Sequence, residues 1–259
     1  RRQRQMCIRD RNHPQLLLFF AGWAADETPF KQYRPKDMDY MICYDYRTLD
    51  FDYSIFDRYR QVNVVAWSMG VWMGSLILSQ VPRDKVFSLA FNGTTYPIDN
   101  LEGIPVNTFQ ATLDGLTPAT LQKFLRRMCK DSNAYKAFME VTPRRDFDEI
   151  KEELRLILER YFDMFGDANN KSYDEEKEDK YEANIEKYNY EYNYAFIGKN
   201  DRIFPPENME MNFCDLIDCH PVLTDNAHYD ESMFRFLLQD MWEMTASEFR
   251  YHVKTINIE

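Results

Sequence analysis

No apolar run in this 259-residue chain approaches the roughly 20 residues needed to cross a bilayer, so no membrane span is expected. No secretory apolar core opens it either, because Arg1 to Arg11 is basic and polar. Paired cysteine spacing is missing as well. Cys7, Cys43, Cys129, Cys214 and Cys219 are odd in number and scattered. That fits a reducing compartment, and hence the cytoplasm, better than a disulfide framework. Cys214, Cys219 and His220 stand close together, but the segment reads as a helix end running into a strand. Nothing supplies further ligands, so neither a metal nor another cofactor is expected. Net basic charge is also lacking. The formal charge is −11, and phosphate backbones are bound by basic surfaces, which sets nucleic acid aside as a partner. Glycine is scarce, with 8 residues.

Apolar and aromatic side chains are plentiful: hydrophobic residues make up 44% and aromatics 15%, with 17 Tyr and 19 Phe. The length suits one α/β domain with a full core. Leu16 to Phe20 is a short continuous apolar run ending in Ala21-Gly22-Trp23, as in a strand buried on both faces of a parallel sheet. Tyr40 to Tyr44, Val62 to Ala66 and Val86 to Phe91 repeat the signal, and Val71 to Gln80 is helical in pattern. This rhythm predicts an open, mostly parallel sheet with helices on both faces. From Pro118 to about Phe165 the periodicity is helical, through Leu121, Phe124, Leu125 and Met128 to Ile150, Leu154, Ile157 and Leu158. Such an inserted block is expected to cap the C-terminal strand ends, where open α/β sheets bind ligands; its bounds are set at about 112–166. Residues 167–193 read as a polar, low-complexity excursion. The sheet resumes at Asn193 to Gly198, followed by a helix over Pro206 to Leu216, a strand including Ile217 and Val222, and a closing amphipathic helix from Met233 to Trp242. Residues 16–244 thus form one domain. The tail at 245–259 is a strand or a stub, and residues 1–15 read as disordered or foreign to the domain.

The densest local signal is Val62-Asn63-Val64-Val65-Ala66-Trp67-Ser68-Met69-Gly70-Val71-Trp72. A β-branched run feeds a serine flanked by small residues, and a helical pattern follows, which is how a nucleophile elbow reads. Ala66 stands where the pattern G-x-S-x-G has its first glycine. Taken alone, x-Ser-x-Gly is more often an ordinary buried turn, and two further residues give it weight. A serine hydroxyl needs an imidazole to take its proton, and the imidazole needs an oriented carboxylate. In this fold the partners follow in the order Ser, acid, His, each on a loop after a strand. Asp201 lies just past Gly198, and His228 lies just before the closing helix. Asp114 is the alternative acid, but it begins the cap. Two preorganised N–H donors are needed for the oxyanion, and they are assigned to the backbones of Met69 and Trp23. Trp23, Trp67, Met69 and Phe109 are candidates for the acyl pocket, with core packing the competing role of Trp67.

The chain resembles the BioG family of pimeloyl-acyl-carrier-protein methyl ester esterases. The resemblance rests on Phe19-Phe20-Ala21-Gly22-Trp23, Ile42-Cys43-Tyr44-Asp45-Tyr46-Arg47, Val65 to Trp72, and Phe91-Asn92-Gly93-Thr94-Thr95-Tyr96-Pro97-Ile98-Asp99. It continues through Thr112-Leu113-Asp114, Lys123 to Met128, Ile197 to Pro206 and His228-Tyr229, covering roughly residues 16–240. It implies an α/β-hydrolase fold and cleavage of the methyl ester of pimeloyl-acyl-carrier protein on the way to biotin, with Ser68 as nucleophile, His228 as base and Asp201 as acid. Ala66 then reads as a family trait. The partner implied is an acidic acyl-carrier protein presenting a phosphopantetheine-linked acyl chain. Between Lys123 and Arg145 there are seven basic residues against two acidic ones. Lys123, Arg126, Arg127 and Lys130, three and four apart, are expected on one face of a cap helix as the carrier dock. The competing readings are a thioesterase or small-ester carboxylesterase of the same fold, and a non-catalytic α/β-hydrolase used as a binding module.

Overall fold

The computed structural model describes residues 4–9, 12–166, 184, 187–188, 190–214 and 216–257, without the side chains of 4–9. One seven-stranded sheet carries the molecule: β1 (Arg4–Arg9), β2 (Gln15–Phe20), β3 (Asp39–Tyr44), β4 (Gln61–Trp67), β5 (Val86–Phe91), β6 (Tyr194–Gly198) and β7 (His220–Thr224). Their spatial order is β1-β3-β2-β4-β5-β6-β7. Neighbours are parallel except for the β1–β3 pair. Residues 16–20 of β2, 39–44 of β3 and 62–67 of β4 are buried without a break, as strands covered on both faces must be. The chain leaves β2 in one direction to reach β3, then crosses back to β4 and moves the other way. The order therefore reverses between β2 and β4, and the crevice at their carboxyl ends is where such sheets take ligands.

Helix α1 is Ile55–Arg58 and α2 is Met69–Leu78, with all ten residues of α2 buried. A helix that is apolar all round has to be enclosed. The sheet covers one side of α2. On another, Trp72 meets the Tyr161 ring edge-on at 5.4 Å, and the Tyr192 hydroxyl donates to the Val71 carbonyl at 2.7 Å. The cap consists of α3 (Val106–Asp114), α4 (Pro118–Met128), α5 (Ser132–Glu140) and α6 (Phe147–Phe165). The side chains of Thr117, Asp131 and Asp146 each accept backbone N–H bonds at the starts of α4, α5 and α6, which fixes where these helices begin. Among the described residues, the later helices are α7 (Pro206–Cys214), α8 (Glu231–Leu238) and α9 (Ala246–Ile256).

Five features of the described residues depart from the sequence reading. Residues 4–9, expected to carry no element, pair antiparallel to β3, with Met6 opposite Ile42. An edge strand tolerates a charged, polar sequence without apolar alternation. Much of the 167–193 excursion lies outside the described residues, but its last part is not a polar surface: Tyr190 and Tyr192 are buried, and the Tyr190 hydroxyl donates to Ser88 Oγ. Ile217 lies outside β7 and is 91% exposed. The tail is a helix rather than a strand, because Thr245 and Glu248 form a capping box ahead of it. The closing amphipathic helix stops at Leu238, and residues 240–243 form a short 3₁₀ turn.

The spacing of β2 and α2 sets the site. A Cβ on Gly70 would stand 2.3 Å from the Phe20 carbonyl oxygen, a backbone atom that no rotamer change can move aside. Gly70→Ala is expected to destabilise the fold by about 3 kcal/mol, read as a fall in the urea midpoint at unchanged slope. An unaltered midpoint would mean that the helix does not sit so close to the strand.

Candidate active site

Ser68 links β4 to α2 with φ 58° and ψ −131°, a left-handed backbone for a residue carrying a Cβ. Its N–H donates to the Phe91 carbonyl of β5 at 3.1 Å, and its carbonyl accepts from Val71 N–H at 3.0 Å. The turn is thus pinned on both sides. Ser68 stands at the N-cap of α2, yet its hydroxyl makes no capping bond. It is turned instead toward His228. The alanine that replaces the first glycine of the elbow is accommodated opposite Gly74 of α2. A methyl added to Gly74 would still stand 3.6 Å from the Ala66 methyl, so strand and helix have room for it.

The Ser68 Oγ lies 3.0 Å from His228 Nε2, and His228 Nδ1 lies 2.7 Å from Asp201 Oδ2. A carboxylate only accepts, so Nδ1 carries the proton and Nε2 is left to accept from the serine hydroxyl. The other oxygen of Asp201, Oδ1, accepts from the N–H groups of Ile203 at 2.7 Å and Phe204 at 3.1 Å. These two bonds fix the carboxylate with Oδ2 facing the imidazole. All three residues are buried. The alternative acid, Asp114, ends α3 and accepts from Gln110 on an exposed face.

Sequence reasoning missed Asn92, which ties the end of β6 to the histidine loop. Its Oδ1 accepts from Gly198 N–H at 2.7 Å, and its Nδ2 donates to the carbonyls of Ala227 at 2.7 Å and His228 at 3.3 Å. Asn92 sits at φ 47°, a left-handed position that asparagine tolerates better than most residues. The Asn92-Gly93 pair closing β5 was its only signal. Trp67 departs from its expected place. It does not line the cleft at Ser68; its Nε1 donates to the His228 carbonyl at 2.8 Å, and its rings pack on Phe30, Tyr229 and Phe234. It supports the histidine from beneath.

The cleft encloses about 510 Å³ including its open mouth, and Ser68 lies in its wall. Trp23, Met69, Ile104, Phe109, Phe124 and Leu154 make it apolar, and the charged side chains along it are Arg127 and Arg202. Phe109 and Trp23, both named from the sequence, lie along this cleft. Among the described residues, no acceptor is recorded for the backbone N–H of Trp23 or of Met69. The second residue missed by sequence reasoning is Glu153. It is fully buried, and its Oε1 accepts from Tyr46 N–H at 2.8 Å while Arg145 Nη1 donates to its Oε2 at 2.6 Å. Burial pushes its carboxyl above the ordinary value, and the Arg145 charge opposes that shift. Arg145 also reaches Asp45 at 3.1 Å, and Asp45 binds Arg47, which pairs with Glu149 and Glu152 of α6. A carboxylate three residues from Ile150 and one before Leu154, on an apolar helix face, was the available signal.

The basic run divides. Lys123, Arg126, Arg127 and Lys130 are all exposed, but Lys130 lies beyond the end of α4 and pairs with Asp225 of the histidine loop at 3.0 Å. Arg126 donates to Ser132 Oγ, while Arg127 lies over the Phe124 ring and lines the cleft. Arg145 is buried in the ion network, so its charge is not part of any outer face.

The likeness to known proteins is consistent with this geometry. A crystal structure of BioG from Haemophilus influenzae superposes with a TM-score of 0.72 at 30% identity, covering 93% of this chain and 100% of that one. An esterase from Exiguobacterium antarcticum shares the fold at 11% identity, with a TM-score of 0.60, over 98% of this chain and 92% of its own. A Bacteroides fragilis protein named malonyl-[acyl-carrier protein] O-methyltransferase is 42% identical over 224 residues, covering 85% of this chain but 41% of that protein's length. Residues 5–171 match the family described as pimeloyl-ACP methyl esterase BioG. With an α/β-hydrolase sheet, a strained serine at its switch point and this match over most of the sheet and cap, the chain belongs to the BioG family.

Proposed function

We propose that this chain hydrolyses the methyl ester of a pimeloyl group carried on acyl-carrier protein, with Ser68 as nucleophile, His228 as general base and Asp201 as the acid that orients it. The observation that carries the reading is the Ser68–His228 contact of 3.0 Å at the wall of an apolar cleft. Ser68 Oγ attacks the ester carbonyl as its proton passes to His228 Nε2. The oxyanion is received by the N–H groups of Trp23 and Met69, a role in which a single donor contributes about 3 kcal/mol. Collapse expels the methoxy group, which takes the proton from His228 and leaves as methanol. A water then gives a proton to His228 and attacks the acyl-enzyme, releasing the free carboxylate and restoring Ser68. A non-catalytic binding module would have no use for a buried, doubly anchored Asp201 behind the imidazole.

The substrate follows from the family and from the cleft. Its apolar walls suit a neutral methyl ester on an aliphatic chain, and its cationic residues, Arg127 and Arg202, suit a chain tethered to an acidic carrier. The name of the longer Bacteroides relative describes methyl transfer to a malonyl carrier, which creates the kind of ester removed here. Loss of the methyl group as methanol leaves pimeloyl-acyl-carrier protein with a free carboxylate, which commits the acyl group to biotin, and the scattered cysteines fit a cytoplasmic setting. Carrier docking falls to Lys123 and Arg126, with Lys130 contributing through its hold on the histidine loop and Arg127 at the cleft itself.

Ser68→Ala is expected to leave the fold intact and lower methanol release from pimeloyl-carrier methyl ester by roughly 10⁴-fold or more, and a fluorophosphonate should label Ser68 in the parent alone. Full activity in the alanine variant with labelling elsewhere would remove Ser68 from the mechanism. His228→Ala should be nearly as damaging, and Asp201→Asn somewhat less. If Asp114→Asn cripples the enzyme and Asp201→Asn does not, the acid is misassigned. The double variant Lys123→Glu, Arg126→Glu should raise KM for the carrier-bound ester and flatten its salt dependence, while a small free ester is cleaved as before. Equal losses on both substrates would place these side chains in support of the cap instead. An acyl thioester tested alongside distinguishes an esterase from a thioesterase.

A further inference from the structure

We infer that Glu153, on the cap helix α6, is a positioning residue for the oxyanion loop: its carboxylate holds the Gly22–Ala24 backbone with the Trp23 N–H turned into the cleft. The inference rests on the oxyanion role proposed for Trp23. Residues 21–25, the start of the loop after β2, are bonded from the cap, from the end of β3 and from Tyr46 just past it. Glu153 Oε2 accepts from Ala24 N–H at 3.4 Å, next in the chain to the proposed donor. One turn earlier on α6, the Ile150 carbonyl accepts from the Trp23 indole Nε1 at 2.9 Å. Arg145, paired with Glu153, donates to the Ala25 carbonyl at 3.3 Å, and the Tyr46 hydroxyl donates to the Ala21 carbonyl at 2.6 Å. Ala24 itself sits at φ 63°, a left-handed conformation that persists in a residue with a Cβ only when its surroundings hold it.

A buried ion pair of this kind contributes little net stability against an apolar packing of similar volume. Here the carboxylate accepts from both loops while Arg145 holds its charge, so the cap fixes the geometry of the reaction centre as well as covering it. The donor that must meet the oxyanion is set by α6, and a loop loosened there would lose transition-state binding before it lost substrate binding.

The test uses the full chain with p-nitrophenyl butyrate as a free ester and a short-chain trifluoromethyl ketone as a tetrahedral mimic. Glu153→Gln keeps the shape and removes the charge, while Glu153→Asp keeps the charge and draws it away from Ala24. Both should lower kcat, normalised to sites titrated by fluorophosphonate, by about 10-fold to 100-fold with little change in KM. Affinity for the ketone should fall by the same factor. A purely structural role would lower the melting temperature while leaving kcat per titrated site at the parent value, and that result overturns the inference. If neither variant folds, amide exchange in the parent decides. The Ala24 N–H should be protected in the free enzyme and the Trp23 N–H only once the ketone is bound; an Ala24 N–H exchanging as fast as an open loop overturns it. A parent that neither cleaves the ester nor reacts with the fluorophosphonate would instead sink the proposed function itself.

Discussion

The backbone of Ser68 is the constraint on which the rest of the site depends. A residue with a Cβ held at φ 58° and ψ −131° is costly, by about 1–3 kcal/mol, and persists only where the surroundings over-determine it. Here they do. The strand before it is buried on both faces, the helix after it has no exposed residue, and β5 accepts its N–H. At this turn the hydroxyl makes no capping bond to α2, and the start of that helix, at Met69, lines the cleft. Both features come from the same turn: a hydroxyl bonded to His228 and a helix N-terminus beside it, the place where the proposed mechanism puts the oxyanion.

Around that turn, the histidine and its carboxylate are placed by loops with no regular structure of their own. Asn92 substitutes for the missing regularity by bonding the loop after β6 and the histidine loop through one side-chain amide. From the cap side, the Tyr229 N–H donates to the Met128 carbonyl at the end of α4, so the histidine loop is tied to the insertion as well. The ion network from Asp45 and Arg47 through Arg145 to Glu153 does the same for the loop after β2. The cap therefore touches both the histidine loop and the loop after β2, the two loops to which the proposed mechanism assigns the base and an oxyanion donor.

Much of this was legible in the chain because it follows from short-range pattern. Continuous apolar runs at Leu16 to Phe20 and Val62 to Ala66 become β2 and β4, and the serine between a β-branched run and a helix becomes the elbow. The order Ser68, Asp201, His228 with a strand before each loop was readable too. What escaped was decided by contacts distant in sequence. Trp67 reads as a pocket residue until the histidine loop, 161 positions away, supplies a carbonyl for its indole. Glu153 goes unremarked because its partners, the Tyr46 N–H and Arg145, are fixed only by the fold. The strand at Arg4–Arg9 carries no alternation because an edge needs none, and the charge at Arg145 counts toward a basic surface until Asp45 and Glu153 neutralise it.

The most direct measurement is a crystal structure of the enzyme with a fluorophosphonate bound covalently to Ser68. The phosphoryl oxygen should lie about 2.7–3.1 Å from both the Trp23 and the Met69 backbone nitrogens, with the alkyl chain running between Phe109 and Phe124. A phosphoryl oxygen turned away from those two N–H groups and held by a side chain such as Arg202 would contradict that geometry.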